Sequence, residues 1–269
     1  MTKTNLVIKN AKKIKKVDIK GVVFDFDDTL AKPSVEWQQI MAEYFVCQIY
    51  GNYDNNIGTN RVKRIKRYID ENAGTTLTNY MTELFEIVKR KNVDNLKSAD
   101  DYCKGFDELW RQKTFDLYTA EDIIEGVPAL LKKLKNNNIR IFVITGGDRK
   151  HKVELIKKIG LAKFICSKDI FGDCDRRFGV SFSKEDALKY VHDLLAEEDI
   201  IKKDSSKNVN SNNIILAMIG DGKKDMQAAR NVKGTLAVGF NQPHSADVYV
   251  RGDKYPVNDL MKLFSGRYR

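Results

Sequence analysis

Between Gly21 and Leu30 a run of apolar residues is cut short by charge: Gly21, Val22, Val23 and Phe24 lead directly into Asp25, Phe26, Asp27, Asp28, Thr29 and Leu30. The first four read as a strand buried on both faces, the kind that parallel sheets use. No folding argument favours ending such a strand in three carboxylates. They repel one another and are tolerable only where water, a cation or a positive side chain neutralises them. Asp25 and Asp27 are two residues apart, so in extended geometry both leave one side of the backbone while Phe26 leaves the other. The carboxyl ends of strands in an open α/β sheet are where such sheets bind ligands. One carboxylate there can attack an electrophile while a second protonates the leaving group and later activates water. A hard cation such as Mg²⁺ suits carboxylate and phosphoryl oxygens alike. The plainer alternative is a strand ending in a solvated acidic turn, and the rest of the chain decides between the two.

The other strand ends favour chemistry. Ile139–Ile144 is a second buried strand finishing in Thr145, Gly146, Gly147 and Asp148. Ile214–Ile219 is a third such run, finishing in Gly220, Asp221, Gly222, Lys223, Lys224 and Asp225. Thr145 can donate its hydroxyl to a phosphoryl oxygen, and the helix start beyond it offers free N–H groups to an anion. Asp221 and Asp225 join Asp25 as acidic groups that a bound cation would reconcile. One ammonium should balance the nucleophile and the phosphoryl group. Lys184, at the start of a helix capped by Ser183, is favoured, and Lys168 is the alternative. Arg149 and His151, after the Thr145 loop, are further contact candidates.

Between these strands the period changes. Trp37, Ile40, Met41, Tyr44 and Phe45, then Val62, Ile65 and Ile69, then Tyr80, Met81, Leu84 and Val88, then Tyr102, Phe106 and Trp110 recur at helical spacing. This predicts an insertion of about four helices, over 33–121, placed above the ligand-binding end of the sheet as a lid that excludes water and reads the substrate. Its turn around Gly74, Thr75 and Thr76, and its basic face near Arg61, Lys63, Arg64 and Lys66, are candidates to meet a sugar or second anion. After Glu125, Gly126, Val127 and Pro128 the α/β alternation resumes. Phe164–Cys166 reads as a short strand, residues 169–182 as a loop or hairpin, and 199–213 as a polar surface excursion.

The chain has 269 residues, 31% of them charged and 42% hydrophobic. That composition fits a soluble protein of one to two domains. No apolar run approaches membrane length, and the N-terminus carries no signal-like block. Four cysteines without paired spacing fit a reducing compartment, and the expected location is cytoplasmic. The net charge of +10 raises a nucleic-acid partner as a competing reading. The basic residues are dispersed, with concentrations at 9–20, 61–67 and 202–207 and no zinc-finger or aromatic-rich RNA-binding signature beside them. They read as solvated faces, with residues 1–19 as a basic N-terminal arm whose Leu6, Val7 and Ile8 could add a short strand or pack on the core.

Taken together, the Asp25 to Leu30 segment, Thr145, Lys184 and the Gly220 to Asp225 segment resemble the haloacid dehalogenase superfamily in its phosphatase branch. The Glu125 to Leu131 stretch resembles the point at which its helical-cap members re-enter the core. The insertion is similar to the caps of phosphoglycolate phosphatase and β-phosphoglucomutase relatives. The resemblance implies an α/β, Rossmann-like parallel sheet of order 5-4-1-2-3 with helices on both faces. The catalytic core would be 20–32 and 122–269, and the all-helical cap 33–121. It implies an Mg²⁺-dependent hydrolase of a small phosphorylated metabolite. Asp25 would form an aspartyl-phosphate, and Asp27 would act as acid and base. Asp25, Asp27 through its carbonyl, Asp221 and Asp225 would hold the metal. Thr145, Gly146, Gly147, Lys184 and Arg149 would bind substrate. Asp28 stands where the family commonly has Gly, and Glu185 follows Lys184 where Pro is familiar. A phosphomutase on the same core, or a noncatalytic phosphate- or nucleic-acid-binding protein, is the alternative.

Overall fold

The Val17–Phe24 segment forms β2, an interior strand of a seven-stranded sheet in the computed structural model, lying between β5 and β3. The structure describes residues 5–32, 37–51, 55–72, 75–91, 96–115, 118–173, 175–178, 182–202 and 213–267. The strands are β1 (Asn5–Ile8), β2, β3 (Arg140–Asp148), β4 (Ile170–Asp173), β5 (Ile214–Gly220), β6 (Thr235–Phe240) and β7 (Val248–Arg251). Their spatial order is β1-β7-β6-β5-β2-β3-β4. All neighbours run parallel except β1, which pairs antiparallel with β7 at one edge. The sheet is therefore mixed and mostly parallel, and wider than five strands.

Alternation along β2 sorts its side chains to two faces. Val22 and Phe24 pack with Leu130, Leu131 and Leu134 of α6 (Val127–Asn136), Leu155 of α7 (Arg149–Lys158) and Leu260 and Leu263 of α10 (Val257–Phe264). Val23 packs on the opposite face with Leu188 and Val191 of α8 (Lys184–Lys202) and Met226 of α9 (Lys223–Asn231). Fully burying one such side chain contributes roughly 1.5–3 kcal/mol. A strand apolar on both faces therefore fixes a three-layer fold, as its unbroken run predicted.

The expected insertion consists of α2 (Trp37–Tyr50), α3 (Asn55–Glu71), α4 (Leu77–Arg90) and α5 (Ala99–Thr114). Among the described residues it contains no strand. Thr76 caps α4 by accepting from the Asn79 N–H, and Ser98 forms a capping box with Asp101 at α5. The outgoing and returning chains lie side by side. Ala31 bridges Ile123, Lys32 N–H donates to the Asp122 carbonyl (2.8 Å), and Ile124 N–H donates to the Leu30 carbonyl (3.1 Å). At the return, Gly126 adopts φ 91° as N-cap of α6, and a Cβ there would sit 3.0 Å from the Tyr255 carbonyl oxygen.

Three local readings differ. Phe164–Cys166 is not a strand: Phe164 and Ile165 N–H groups both donate to the Leu161 carbonyl, so their backbone closes a turn while Ile165 is buried in the core. The strand lies further along, at Ile170–Asp173, pairing in parallel with β3, and the described residues of 169–182 form no hairpin. From Asn5 onward the N-terminal segment takes the short-strand course open to Leu6, Val7 and Ile8, as β1 at the sheet edge, and is not a free basic arm. Leu6 and Ile8 of β1 pack on the core, and Lys13 pairs with the buried Asp247 (2.6 Å). Gly74, Cys174 and the basic run after Lys202 lie outside the described residues.

Candidate active site

The carboxyl ends of β2 and β5, side by side in the sheet, bring Asp25, Asp221 and Asp225 together. One oxygen from each lies within 4.8 Å of the others. Asp25 and Asp225 are buried and Asp221 is half-buried. Glycine permits this proximity: a Cβ on Gly220 would stand 2.5 Å from the Asp225 carboxyl carbon. Asp225 reaches back from the first turn of α9, where it accepts from the Gly222 N–H (3.0 Å).

Lys184 spans the cluster. Its Nζ donates to Asp25 Oδ1 (2.9 Å) and Asp225 Oδ1 (2.7 Å). Burial disfavours its charge, but Asp225 and Asp25 outweigh that and hold its pKa above the ordinary lysine range. One ammonium does not balance three carboxylates. Burial, with Asp225, Asp221 and Asp27 adding to it against Lys184, pushes the Asp25 carboxyl well up. Asp221 is pushed up to about 7 by burial, then by Asp225 and Asp28. An all-oxygen donor set with surplus negative charge fits a hard divalent cation. Lys168 sits in a short 3-10 turn at Ser167–Asp169, and its carbonyl accepts from Arg177, so of the two lysine candidates Lys184 is the one at the cluster.

Asp27 leaves the same side as Asp25 but meets a different partner. Lys152 Nζ donates to both of its oxygens at 2.7 Å, and the Tyr118 hydroxyl donates to Oδ1 at 3.1 Å. Lys152 is buried, with its ammonium 4.5 Å from the Phe26 ring centroid. Neither Lys152 nor Tyr118 carried a sequence signal. Asp28 takes the left-handed conformation at φ 55°, with its N–H donating to the Ala31 carbonyl (2.9 Å). Aspartate tolerates that region better than most residues, which explains why glycine and aspartate both serve there.

Thr145 is buried within β3, three residues before its end, its Oγ1 accepting from the Gly147 N–H (3.2 Å), and Gly146 and Gly147 line the same cavity. The helix start beyond is less open than expected, since the Asp148 carboxylate caps α7 by accepting from the His151 N–H (2.7 Å). Arg149 is not at the cavity. It donates to the Ile170 carbonyl (2.8 Å) and Ser167 carbonyl (2.7 Å) and lies near Asp175, securing the entry to β4. On the basic face of α3, Arg61 stacks over Tyr50 and Lys66 pairs with Asp70, Lys63 and Arg64 are exposed, and none of the four lines the cavity.

These groups form the floor of a cavity of about 160 Å³. Its roof is the helical insertion: Trp37 and Met41 of α2, Leu77 and Tyr80 of α4, and Phe106 and Trp110 of α5. The roof is tied down across the sheet end. Asp173 of β4 accepts from the Thr78 N–H and hydroxyl (both 2.7 Å), and Arg111 of α5 pairs with Glu154 of α7 (3.1 Å).

The haloacid dehalogenase-like hydrolase family model matches residues 19–233, spanning every strand end just described except that of β6 and the β1–β7 edge. The chain belongs to that family. It is a hydrolase of that family, and its aspartate cluster is a donor set able to hold a divalent metal. No curated protein sequence matches the chain. Solved structures share the fold at low identity. A β-phosphoglucomutase from Clostridium difficile is 15% identical, with 91% of this chain and 97% of that one covered and a TM-score of 0.58. A predicted phosphatase from Clostridium acetobutylicum is 18% identical, with 92% of each covered and a TM-score of 0.53. A putative phosphatase from Clostridium difficile is 18% identical, with 83% and 85% covered and a TM-score of 0.51. Among the described residues no helix is long and apolar enough to cross a membrane.

Proposed function

We propose that this protein is an Mg²⁺-dependent hydrolase of a small phosphorylated metabolite, working in the cytoplasm through an aspartyl-phosphate on Asp25. The observation carrying this is the convergence of Asp25, Asp221 and Asp225 around the Lys184 ammonium at the floor of a cavity roofed by the helical insertion. Asp25 attacks phosphorus, forming the acyl phosphate as the phosphorus–oxygen bond to the alcohol breaks. Asp27 gives its proton to the departing oxygen. In the second half Asp27 takes a proton from water, whose oxygen attacks phosphorus and releases Asp25 and inorganic phosphate. Thr145, the Gly146–Gly147 backbone and Lys184 hold the phosphoryl oxygens. Asp25, Asp221, Asp225 and the Asp27 carbonyl would hold Mg²⁺, which supplies positive charge to a phosphoryl oxygen. Lys152 and Tyr118 orient the Asp27 carboxyl. Arg149 has no part in substrate binding in this reading.

We divide the chain into a catalytic core, 5–32 and 122–269, and a helical cap, 33–121, hinged where Ala31 and Ile123 pair. Counting from the acidic strand, β6-β5-β2-β3-β4 reads as the family's 5-4-1-2-3, with β7 and β1 added at one edge. Among the described residues Cys47 and Cys166 form no disulfide, in keeping with a reducing compartment.

The test is phosphate release from p-nitrophenyl phosphate with Mg²⁺, followed by acid quench and mass spectrometry of the peptide bearing Asp25. A phosphoryl group on that peptide, and a loss of about 10³-fold or more in Asp25→Asn, are expected. Full turnover by Asp25→Asn would reject the assignment.

A further inference from the structure

The cavity's charge is lopsided beyond what a metal site requires. Besides the floor carboxylates, Asp28, Asp107 and Asp148 also line it, giving seven carboxylates against the ammonium groups of Lys152 and Lys184. Both ammonium groups are already engaged, Lys152 by the two oxygens of Asp27 and Lys184 by Asp25 and Asp225. Among the described residues no arginine lines the cavity. The stretches adjoining lining residues, 33–36, 73–74 and 116–117, contain neither Lys nor Arg. Lys224 comes to the rim, donating to Thr75 Oγ1 (2.6 Å), but is not a lining residue. Asp107 is paired with Arg111 (3.4 Å), which does not itself line the cavity, so a second anionic group on the substrate, a carboxylate or another phosphate, would meet Asp107, Asp148 and aromatic rings with no unengaged cation among the described lining residues to receive it.

Opposite the roof, α7 offers a neutral polar group. His151 lines the cavity and is 2% exposed, yet neither ring nitrogen has a hydrogen-bond partner among the described residues. Leaving buried donors and acceptors unmade is costly, so an unpartnered imidazole beside a ligand cavity points to a partner on the ligand. Burial, with Lys152 and Arg111 beside it, pushes its pKa down to about 3, so it stays uncharged near neutrality. An uncharged imidazole donates from one nitrogen and accepts at the other, which suits a hydroxyl.

We infer that the substrate is the phosphate monoester of a small uncharged alcohol bearing a further hydroxyl, held by His151 against the aromatic roof, and that esters carrying a second anion are excluded. The inference rests on the hydrolase reading above and narrows it. A cavity near 160 Å³ also limits the alcohol, being close to the roughly 150 Å³ that accommodates a benzene.

The decisive comparison uses the Mg²⁺-loaded protein with glycerol 3-phosphate and 3-phosphoglycerate, which differ by a hydroxymethyl group against a carboxylate, and p-nitrophenyl phosphate as a reference. The kcat/KM for glycerol 3-phosphate should exceed that for 3-phosphoglycerate by about tenfold or more, the order expected of one unit charge facing buried carboxylates. Gln38→Arg, which adds a cation to the roof, should narrow that ratio. His151→Leu should lower glycerol 3-phosphate turnover relative to p-nitrophenyl phosphate by about tenfold. Lys224→Met should leave the ratio unchanged. Equal or inverted selectivity, or a selective loss of 3-phosphoglycerate turnover in Lys224→Met, would overturn the inference while leaving the hydrolase reading intact. No release from p-nitrophenyl phosphate would remove both.

Discussion

Replacing Lys184 with Met isolates the electrostatic problem on which the site is built. The ammonium lies 2.9 Å from Asp25 and 2.7 Å from Asp225, and both carboxylates are buried. Methionine roughly preserves the volume and removes the charge, leaving three carboxylates within 4.8 Å with nothing to oppose them. Breaking a buried ion pair by deleting one partner costs about 3–5 kcal/mol. Proton uptake sets a ceiling on that figure. A carboxyl with an ordinary pKa near 3.9 that is forced to hold a proton at pH 7 costs about 4 kcal/mol, at 1.36 kcal/mol per unit. The two routes agree, so without metal the variant should be less stable than the parent by about 4 kcal/mol at pH 7.

The same reasoning fixes the pH dependence. Beyond the protons that the folded parent already holds at Asp25 and Asp221, the folded variant binds one more that the unfolded state releases above its pKa, so its stability falls more steeply than the parent's as pH rises from about 4 through 7. At pH 5 the deficit should shrink to about 1.5 kcal/mol. Urea unfolding at the two pH values, in EDTA, reads both numbers. Calorimetric titration should also find Mg²⁺ bound more tightly by the variant, because no ammonium competes for the carboxylates, even though phosphatase turnover is lost. A variant that unfolds with the parent at pH 7, or whose deficit does not change with pH, would refute the account of Lys184 as the counter-charge of the cluster.

Four further outcomes follow from particular contacts. Gly220→Ala places a methyl 2.5 Å from the Asp225 carboxyl carbon, so Mg²⁺ affinity should fall about 10- to 100-fold with little change in the circular dichroism spectrum. Because Asp221 is pushed up to about 7, Mg²⁺ must displace its proton in mildly acid solution. Apparent affinity should weaken as pH drops from 8 to 6, with proton release seen on titrating in two buffers of different ionisation enthalpy. Tyr118→Phe deletes the hydroxyl that donates to Asp27. It should lower kcat several-fold while costing about 1 kcal/mol of stability, because Lys152 still holds the carboxylate. Asp173→Ala removes the acceptor for the Thr78 N–H and hydroxyl and should raise KM more than it lowers kcat, read from steady-state kinetics on p-nitrophenyl phosphate.

Legibility in the sequence followed the length scale of the cause. The floor was legible because each of its residues terminates or immediately follows an apolar run, and strand periodicity fixes which side chains share a side. Asp25, Asp221, Asp225 and Thr145 come from such positions, and Lys184 follows a visible helix cap. Phe164–Cys166 misled for the opposite reason: three apolar residues are too few to separate a strand from a packed turn, and hydrogen bonding to Leu161 decided it. On α7, Arg149, Lys150, His151 and Lys152 leave the axis about 100° apart, and any of them could have faced the site. Only the docking of that helix beside β3 selects Lys152 and His151 and turns Arg149 to the β4 backbone.

Tyr118 and Lys152 show how the two parts of the chain become one site. Tyr118 lies just before the chain returns to the core and Lys152 on the helix after β3, and both end on the Asp27 carboxylate. The carboxyl proposed to move protons is thus held by one group from each side of the Ala31–Ile123 crossing. Displacing the helical insertion would remove the roof and strain the Tyr118 contact in the same motion. Closure of the cavity over substrate and alignment of the acid–base group are then coupled by geometry. Stopped-flow fluorescence of Trp37 and Trp110, which line the roof, should report closure in the same kinetic phase that commits phosphoryl transfer. In Tyr118→Phe the closure phase should persist while transfer slows, whereas equal slowing of both would mean that Tyr118 serves the roof alone.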